Sequence, residues 1–215
     1  MSVPSPRPPF RAAIFDIGGV LTASPNTGLK SYAAQKGLAW EPIGRLLSAT
    51  EGAWSRWETS ACTQDEFVSD FEQECLGSGF TVDGHAFLGA FFPALTVREE
   101  MVAAVRALKG RVALACITNN VSRDDSRPAA LLQLDQLFEV VIESSKVGLR
   151  KPDPRIYEMA CTALGVPPRE AIFLDDFGIN LKAARALGMY TIKVDETLSG
   201  LEELEAALGM SLRAP

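Results

Sequence analysis

The sequence AAIFDIGGV at residues 12–20 carries the strongest structural signal in the chain. Four apolar residues followed at once by a carboxylate predict a short buried strand that ends at Asp16. Open α/β folds bind ligands beyond the carboxyl ends of parallel strands, and Gly18 and Gly19 would let backbone N–H groups approach an anion closely. Taken alone, a simple turn at a strand end would be the better interpretation. Three further segments favour a ligand site.

A second apolar run, residues 171–174, ends in the acidic pair Asp175 and Asp176. Two adjacent carboxylates at a strand end repel each other unless a cation lies between them. Because the ligand atoms on offer are oxygens, a hard ion such as Mg²⁺ is favoured.

Residues 112–117 predict a third strand, which is followed by Thr118, Asn119 and Asn120. A hydroxyl and two amides are neutral hydrogen-bonding groups suited to holding a phosphate. The same three residues would also serve as a helix cap and turn.

Residues 137–142 predict a fourth strand, and the segment GLRKPDP at 148–154 places Lys151 just before a helix. Either Pro152 or Pro154 could begin that helix, since proline is well tolerated in a first helical turn. A single lysine in such a place would usually be solvated surface.

Composition indicates a globular protein without a membrane span. The chain has 215 residues, 47% of them apolar, and a mean hydropathy of +0.08, enough to bury a full core. Residues 1–9 contain four prolines and no periodicity, so we expect a flexible tail there. The apolar run after this tail is short and is broken by Asp16, which argues against a signal peptide or a span. We therefore expect a cytoplasmic protein.

The remaining composition excludes several classes of site. The four cysteines form no CxxC pair, which favours reduced structural thiols, and His85 has no partner at metal-ligand spacing and is expected on the surface. A net charge of −6 without a basic cluster argues against a nucleic-acid partner. An anionic substrate would then be attracted locally, by Arg150, Lys151 and a bound Mg²⁺.

The order of predicted elements indicates an α/β fold, a doubly wound, Rossmann-like parallel sheet. Residues 24–92 interrupt the alternation: they are helix-like throughout and contain a capping box at 63–66. Trp54 and Trp57, three residues apart, are expected to pack in the core of this segment. The predicted strands of the alternating part are 112–117, 138–142, 172–174 and 190–194, and its predicted helices are 97–109, 154–164 and 179–187.

Four motifs in this order make the chain resemble the haloacid dehalogenase-like superfamily: the aspartate at the first strand end, the Thr-Asn tip, the lysine and the acidic pair. The resemblance extends from about Phe10 to about Leu212. Residues 147–157 and 173–182 resemble in particular the branch that includes the N-terminal phosphatase domain of soluble epoxide hydrolase. The resemblance implies an α/β catalytic core at 10–23 and 93–215 and a helical cap at 24–92, which leaves residues 1–9 as the flexible tail.

The resemblance also implies an activity, hydrolysis of a small phosphorylated metabolite through an aspartyl-phosphate intermediate. Asp16 would be the nucleophile, and Lys151 would supply positive charge to it and to the phosphate. The other implied assignments are phosphate binding by Thr118, Asn119 and Asn120, and Mg²⁺ binding by Asp16, the Gly18 carbonyl, Asp175 and Asp176, with Asp176 favoured as the direct ligand of the pair.

The sequence departs from the family pattern at Gly18. Phosphatases of the superfamily usually carry an aspartate two residues after the nucleophile, where it transfers protons to the leaving group and from water. General acid–base catalysis contributes about 10²–10⁴ in rate, so a glycine there should weaken turnover.

Two alternative functions therefore stay open. A metal-independent haloacid dehalogenase needs no such acid, but Asp175 and Asp176 would then have no purpose. A catalytically weak binding or scaffolding domain would explain Gly18, whereas retention of the other motifs opposes it.

Overall fold

A five-stranded parallel sheet forms the centre of the computed structural model, which describes residues 10–91, 96–121 and 132–212. The predicted tail at 1–9 and the predicted cap boundary at 92/93 lie outside the described residues. The strand order is β3-β2-β1-β4-β5. The strands are β1 (Ala12–Phe15), β2 (Ala113–Thr118), β3 (Val140–Glu143), β4 (Ala171–Asp175) and β5 (Tyr190–Lys193).

Strand β1 is the central strand of the sheet, and its four residues are therefore fully buried. Ala13 and Phe15 pack against α6 (Glu99–Leu108) and α11 (Thr197–Leu208), whereas Ala12 and Ile14 pack on the opposite face. The helices on that opposite face are α9 (Pro154–Leu164) and α10 (Gly178–Ala186). An apolar strand between two helical layers is typical of a parallel sheet, and the predicted α/β class is confirmed.

Most predicted elements are present, with small shifts at their ends. The prediction was wrong at the start of the fourth predicted strand, because Leu137 ends a short helix, α7 (Leu134–Leu137), and β3 begins only at Val140. Leu137 is buried in the core from this helical turn. Another short helix, α8 (Ser144–Val147), follows β3 directly.

The segment after β1 is helical, as predicted. Thr63 and Glu66 form the predicted capping box of the fourth helix. Trp54 and Trp57 are buried in the segment's own apolar core, where Phe67 stacks on Trp57 with ring centroids 4.4 Å apart. We call residues 26–91 the cap; its exact limits stay a prediction. Its helices are α1 (Asn26–Gln35), α2 (Trp40–Ser48), α3 (Ala53–Glu58), α4 (Gln64–Gly77) and α5 (Gly84–Phe91).

The remaining predictions from composition can be compared with the structure. All four cysteines are free thiols, and His85 is exposed, both as predicted. Within the described residues, no helix has the length and apolar character needed to cross a membrane.

The aromatic cluster of the cap leads to a stability prediction. Phe67 is fully buried between Trp57 and Phe71, so we expect Phe67→Ala to cost about 3–5 kcal/mol of unfolding free energy. Leu76→Ala on the same helix removes a side chain that is 57% exposed and should cost under about 0.5 kcal/mol. Denaturant unfolding of both variants measures the difference, and equal losses would contradict this account of the cap core.

Candidate active site

Acidic side chains from two neighbouring strands meet at the carboxyl edge of the sheet. Phe15 pairs with Leu174 in the β1–β4 register, so Asp16 and Asp175 follow at the same level. The backbone N–H of Asp16 donates to the Leu174 carbonyl at 3.0 Å, which extends the ladder by one residue. Thr118 ends β2 on the other side of β1.

Lys151 joins the two acids. Its Nζ lies 2.8 Å from Asp16 Oδ2 and 2.8 Å from Asp175 Oδ2, and its side chain is only 1% exposed. Asn119 holds the Lys151 backbone from both sides, since its Nδ2 donates to the Lys151 carbonyl at 3.0 Å and its Oδ1 accepts from the Lys151 N–H at 2.8 Å. The tip of β2 therefore positions the lysine.

The two acids of the pair have different surroundings. Asp175 is fully buried, and its oxygens accept hydrogen bonds from Lys151 Nζ, Phe177 N and Asn180 Nδ2. Asp176 is half-buried and lines a cavity of about 110 Å³ between sheet edge and cap. Of the two, Asp176 is therefore the residue that faces the cavity.

Burial disfavours the charged forms of Asp16 and Asp176. Burial, aided by the charges of Asp175 and Asp176, raises the pKa of Asp16 well above its usual range, although Lys151 opposes this. Burial and the charge of Asp175 raise the pKa of Asp176 to about 6, although the interaction with the Ser24 side chain lowers it. Burial alone would lower the pKa of Lys151, but the charges of Asp16 and Asp175 outweigh it and raise that pKa.

The donor set fits a divalent cation. Oxygen atoms of Asp16, Asp175 and Asp176 lie within 4.8 Å of one another. One lysine cannot balance three buried or half-buried carboxylates, and oxygen ligands suit Mg²⁺. These residues therefore satisfy the chemical requirements of a magnesium site.

The two glycines after Asp16, Gly18 and Gly19, are constrained in different ways. Gly19 has a φ of +80°, and a Cβ there would lie 2.2 Å from Asp176 Cγ, so no side chain fits. At Gly18 the limit is space, because a Cβ would lie 3.1 Å from Cδ of Pro25, the residue just before cap helix α1. A side chain at position 18 would therefore require the Pro25 ring to shift by a few tenths of an ångström.

Two of the predicted phosphate ligands, Thr118 and Asn120, are not among the described residues that line the cavity. Asn120 donates through Nδ2 to Glu143 Oε1 at 2.8 Å, and its Oδ1 accepts from Ser145 Oγ at 2.8 Å. Both ends of its amide are thereby engaged in loop contacts, which differs from the predicted role. Thr118 is itself buried.

Arg150 also differs from expectation. Its Nε lies 2.8 Å from Glu58 Oε2 of the cap, and its Nη1 donates to the Ala49 carbonyl at 2.8 Å. The positive charge expected to attract substrate is thus paired with a cap carboxylate. Sequence reasoning missed Glu58, Ser24 and Pro25 at this site, because nothing in their local sequence distinguishes them from ordinary helix and turn residues.

The sheet and its edge define an α/β protein whose acid–lysine cluster lies at the usual ligand position of such folds. The sequence profile described as haloacid dehalogenase-like hydrolase matches residues 10–188. The chain therefore belongs to the haloacid dehalogenase-like hydrolase family.

Individual relatives agree with this assignment. Acyl-CoA dehydrogenase family member 10 of Mus musculus is 36% identical over 94% of this chain and 20% of its own length. Bifunctional epoxide hydrolase 2 of Rattus norvegicus is 34% identical over 93% of this chain and 39% of its own length, which confirms the predicted branch. The chain thus spans at most about two fifths of these two relatives.

One relative of similar size and one solved structure complete the comparison. Phosphatase MT3486 of Mycobacterium tuberculosis (strain CDC 1551 / Oshkosh) is 31% identical over 94% of this chain and 96% of its own length. A family enzyme from Bacteroides thetaiotaomicron, solved in complex with magnesium and inorganic phosphate, has a TM-score of 0.61 at 21% identity. The match covers 87% of this chain and 96% of the chain of that enzyme, and this likeness supports the fold.

The buried lysine leads to a stability prediction. Lys151→Met would leave Asp16 and Asp175 without their shared counter-charge, so we expect a loss of about 3–5 kcal/mol of unfolding free energy. Lys193→Met is the control: Lys193 pairs with Asp195 in solvent and should cost under about 1 kcal/mol. Both are measured by denaturant unfolding at neutral pH, and a Lys151 loss no larger than that of the control would refute the charge-balance argument.

Proposed function

We propose that the protein is a Mg²⁺-dependent phosphatase that hydrolyses a small phosphate monoester through an aspartyl phosphate on Asp16. The observation that carries this proposal is the bridge from Lys151 Nζ to Asp16 Oδ2 and Asp175 Oδ2 at 2.8 Å each. It holds a buried carboxylate in one orientation at the floor of a cavity. The phosphatase among the relatives supports the same class of reaction.

In the first step an Asp16 carboxylate oxygen attacks phosphorus. The Asp16 O–P bond forms, the bond from phosphorus to the ester oxygen breaks, and the leaving group departs with the electron pair. Lys151 keeps the carboxylate oriented and offers positive charge to the phosphoryl oxygens. In the second step a water oxygen attacks phosphorus and the Asp16 O–P bond breaks. Inorganic phosphate leaves with the two protons of the water, and the Asp16 carboxylate is restored.

The residues that would hold Mg²⁺ are Asp16, Asp176 and the Gly18 carbonyl. When bound, the ion would supply positive charge that draws the phosphate dianion towards the acidic edge of the sheet. Asp175 already accepts three donors, so its role would be to fix Lys151 and Asn180. The family structure solved with magnesium and inorganic phosphate supports this choice of ion.

The three-carboxylate cluster also weighs against the two alternative functions. A metal-independent dehalogenase or a scaffold would gain nothing from three acids within 4.8 Å around one lysine. Such a cluster destabilises the fold unless a cation occupies it.

The first test addresses the nucleophile. We expect Asp16→Asn to abolish Mg²⁺-dependent phosphate release from an aryl phosphate, because an amide is a far poorer nucleophile of almost the same shape. The parent should lose activity on chelation and regain it with Mg²⁺. Ca²⁺ should compete but support little turnover, since its looser coordination does not hold the in-line geometry.

Asp195→Asn is the matched control, since Asp195 is a solvent-exposed aspartate that pairs with Lys193 away from the acidic cluster. It should retain parental turnover. Activity of Asp16→Asn within tenfold of the parent would exclude Asp16 as the nucleophile.

The second test concerns the missing proton donor at Gly18. An aspartate there should help alkyl phosphates, whose alkoxide needs a proton, more than aryl phosphates. Because Pro25 Cδ would lie 3.1 Å from the new Cβ, we would combine Gly18→Asp with Pro25→Ala. The alkyl-to-aryl ratio of kcat/KM should rise by about tenfold or more.

Gly18→Asn with Pro25→Ala is the control for shape without proton transfer. It should leave the alkyl-to-aryl ratio unchanged. If the Asp and Asn variants slow both substrates equally, proton transfer at position 18 is not what limits the reaction.

A further inference from the structure

One wall of the cavity carries an ion pair that the proposed chemistry does not use. Glu58 and Arg150 both line the cavity, and Arg150 Nε lies 2.8 Å from Glu58 Oε2. The two atoms are close without hydrogen-bond alignment, so the contact is mainly electrostatic. The pair connects the end of cap helix α3 with the loop before α9.

Glu58 is fixed in place from several sides. Its backbone carbonyl accepts a hydrogen bond from Ser144 Oγ at 2.7 Å, and its carboxylate lies beside Arg150 Nε. The residue is only 6% exposed. Its carboxylate is therefore held beside Arg150 in the cavity wall and away from bulk solvent.

Arg150 is equally constrained. Besides Glu58, its guanidinium donates to the Ala49 carbonyl at 2.8 Å and to the Leu47 carbonyl at 3.4 Å. These contacts hold the guanidinium against the cap even if the carboxylate is removed. A neutral residue at position 58 would thus leave a positive charge in the cavity wall.

We infer that Glu58 determines the charge of the accepted substrate: it cancels Arg150, so the cavity selects monoesters whose leaving group is neutral or cationic and rejects a second anionic group. This inference deepens the proposed function and rests on it.

The charges of the described lining support this selection. Three carboxylates and two cationic side chains line the cavity, and Lys151 is already held by Asp16 and Asp175. An anionic leaving group would therefore approach Arg150 only by competing with a buried, immobile carboxylate. Like charges placed together in this way strongly disfavour a ligand.

The neutral part of the lining agrees with the same class of substrate. The cavity volume of about 110 Å³ suits a phosphate with a small organic group. Leu47, Trp54 and Phe91 contribute apolar surface to its walls. An uncharged or cationic group of a few atoms finds both apolar contact and a carboxylate here.

Three two-carbon phosphates test the inference, since they differ mainly in leaving-group charge: 2-hydroxyethyl phosphate, O-phosphoethanolamine and 2-phosphoglycolate. We expect kcat/KM of the full-length protein with Mg²⁺ to be at least about tenfold lower for phosphoglycolate than for either of the others. Binding of the same compounds to Asp16→Asn, measured by calorimetry, should follow the same order.

Glu58→Gln keeps the shape of the side chain and frees the charge of Arg150. The hydroxyethyl-to-glycolate ratio of kcat/KM should fall by about tenfold or more. The preference for phosphoethanolamine over phosphoglycolate should fall as well. Glu41→Gln, an exposed cap glutamate outside the cavity lining, removes the same net charge and should change no ratio. Arg150→Gln should act in the opposite direction and penalise phosphoglycolate further.

The outcomes separate the inference from the function on which it rests. Turnover without a charge preference, or an unchanged preference in Glu58→Gln, would overturn the inference and leave the phosphatase intact. Charge-ordered binding without any phosphate release would support the selection by Glu58 and contradict the phosphatase. Binding without charge order would overturn the inference whether or not turnover occurs.

Discussion

The buried ammonium of Lys151 is the interaction on which the site depends. A lysine that is 1% exposed is tolerated only when its charge is balanced, and Asp16 and Asp175 balance it from adjacent strands. The register of β1 and β4 places both carboxylates at one level, and Asn119 at the tip of β2 fixes the lysine backbone. The charge of Lys151 is thus balanced only when the ends of β1 and β4 and the loop that carries Lys151 come together in this arrangement.

The short loop that carries Lys151 also connects the acidic cluster with the cap. Its two consecutive residues point in different directions, since Lys151 contacts Asp16 in the acidic cluster and Arg150 pairs with Glu58 of the cap. Displacing this loop would disturb both the orientation of Asp16 and the wall of the cavity. Under the proposed function, the selection of the leaving group and the positioning of Asp16 would therefore depend on the same loop.

The sequence was sufficient for the features that depend on local patterns. Apolar runs ending in carboxylates identified Asp16 and the acidic pair, because a buried parallel strand must be apolar and its end must carry the polar chemistry. Contacts between distant segments were beyond such patterns: Asn120 bonds to Glu143 and Ser145, 23 and 25 residues away. The predicted start of β3 was wrong for a related reason, since Leu137 is buried from a helical turn and an apolar pattern alone does not distinguish this from a strand.

The contact between Gly18 and Pro25 gives the departure from the family pattern a structural setting. Backbone conformation requires glycine only at position 19, where φ is +80° and Asp176 leaves no room for a Cβ. Position 18 is restricted instead by Pro25, the residue before the cap, whose Cδ lies 3.1 Å from where a side chain would start. A side chain at position 18 and the Pro25 ring therefore compete for neighbouring space. An acid at position 18 would fit only if the proline ring shifted by a few tenths of an ångström or were replaced by a smaller side chain, so the loop after β1 and the entry to the cap constrain each other.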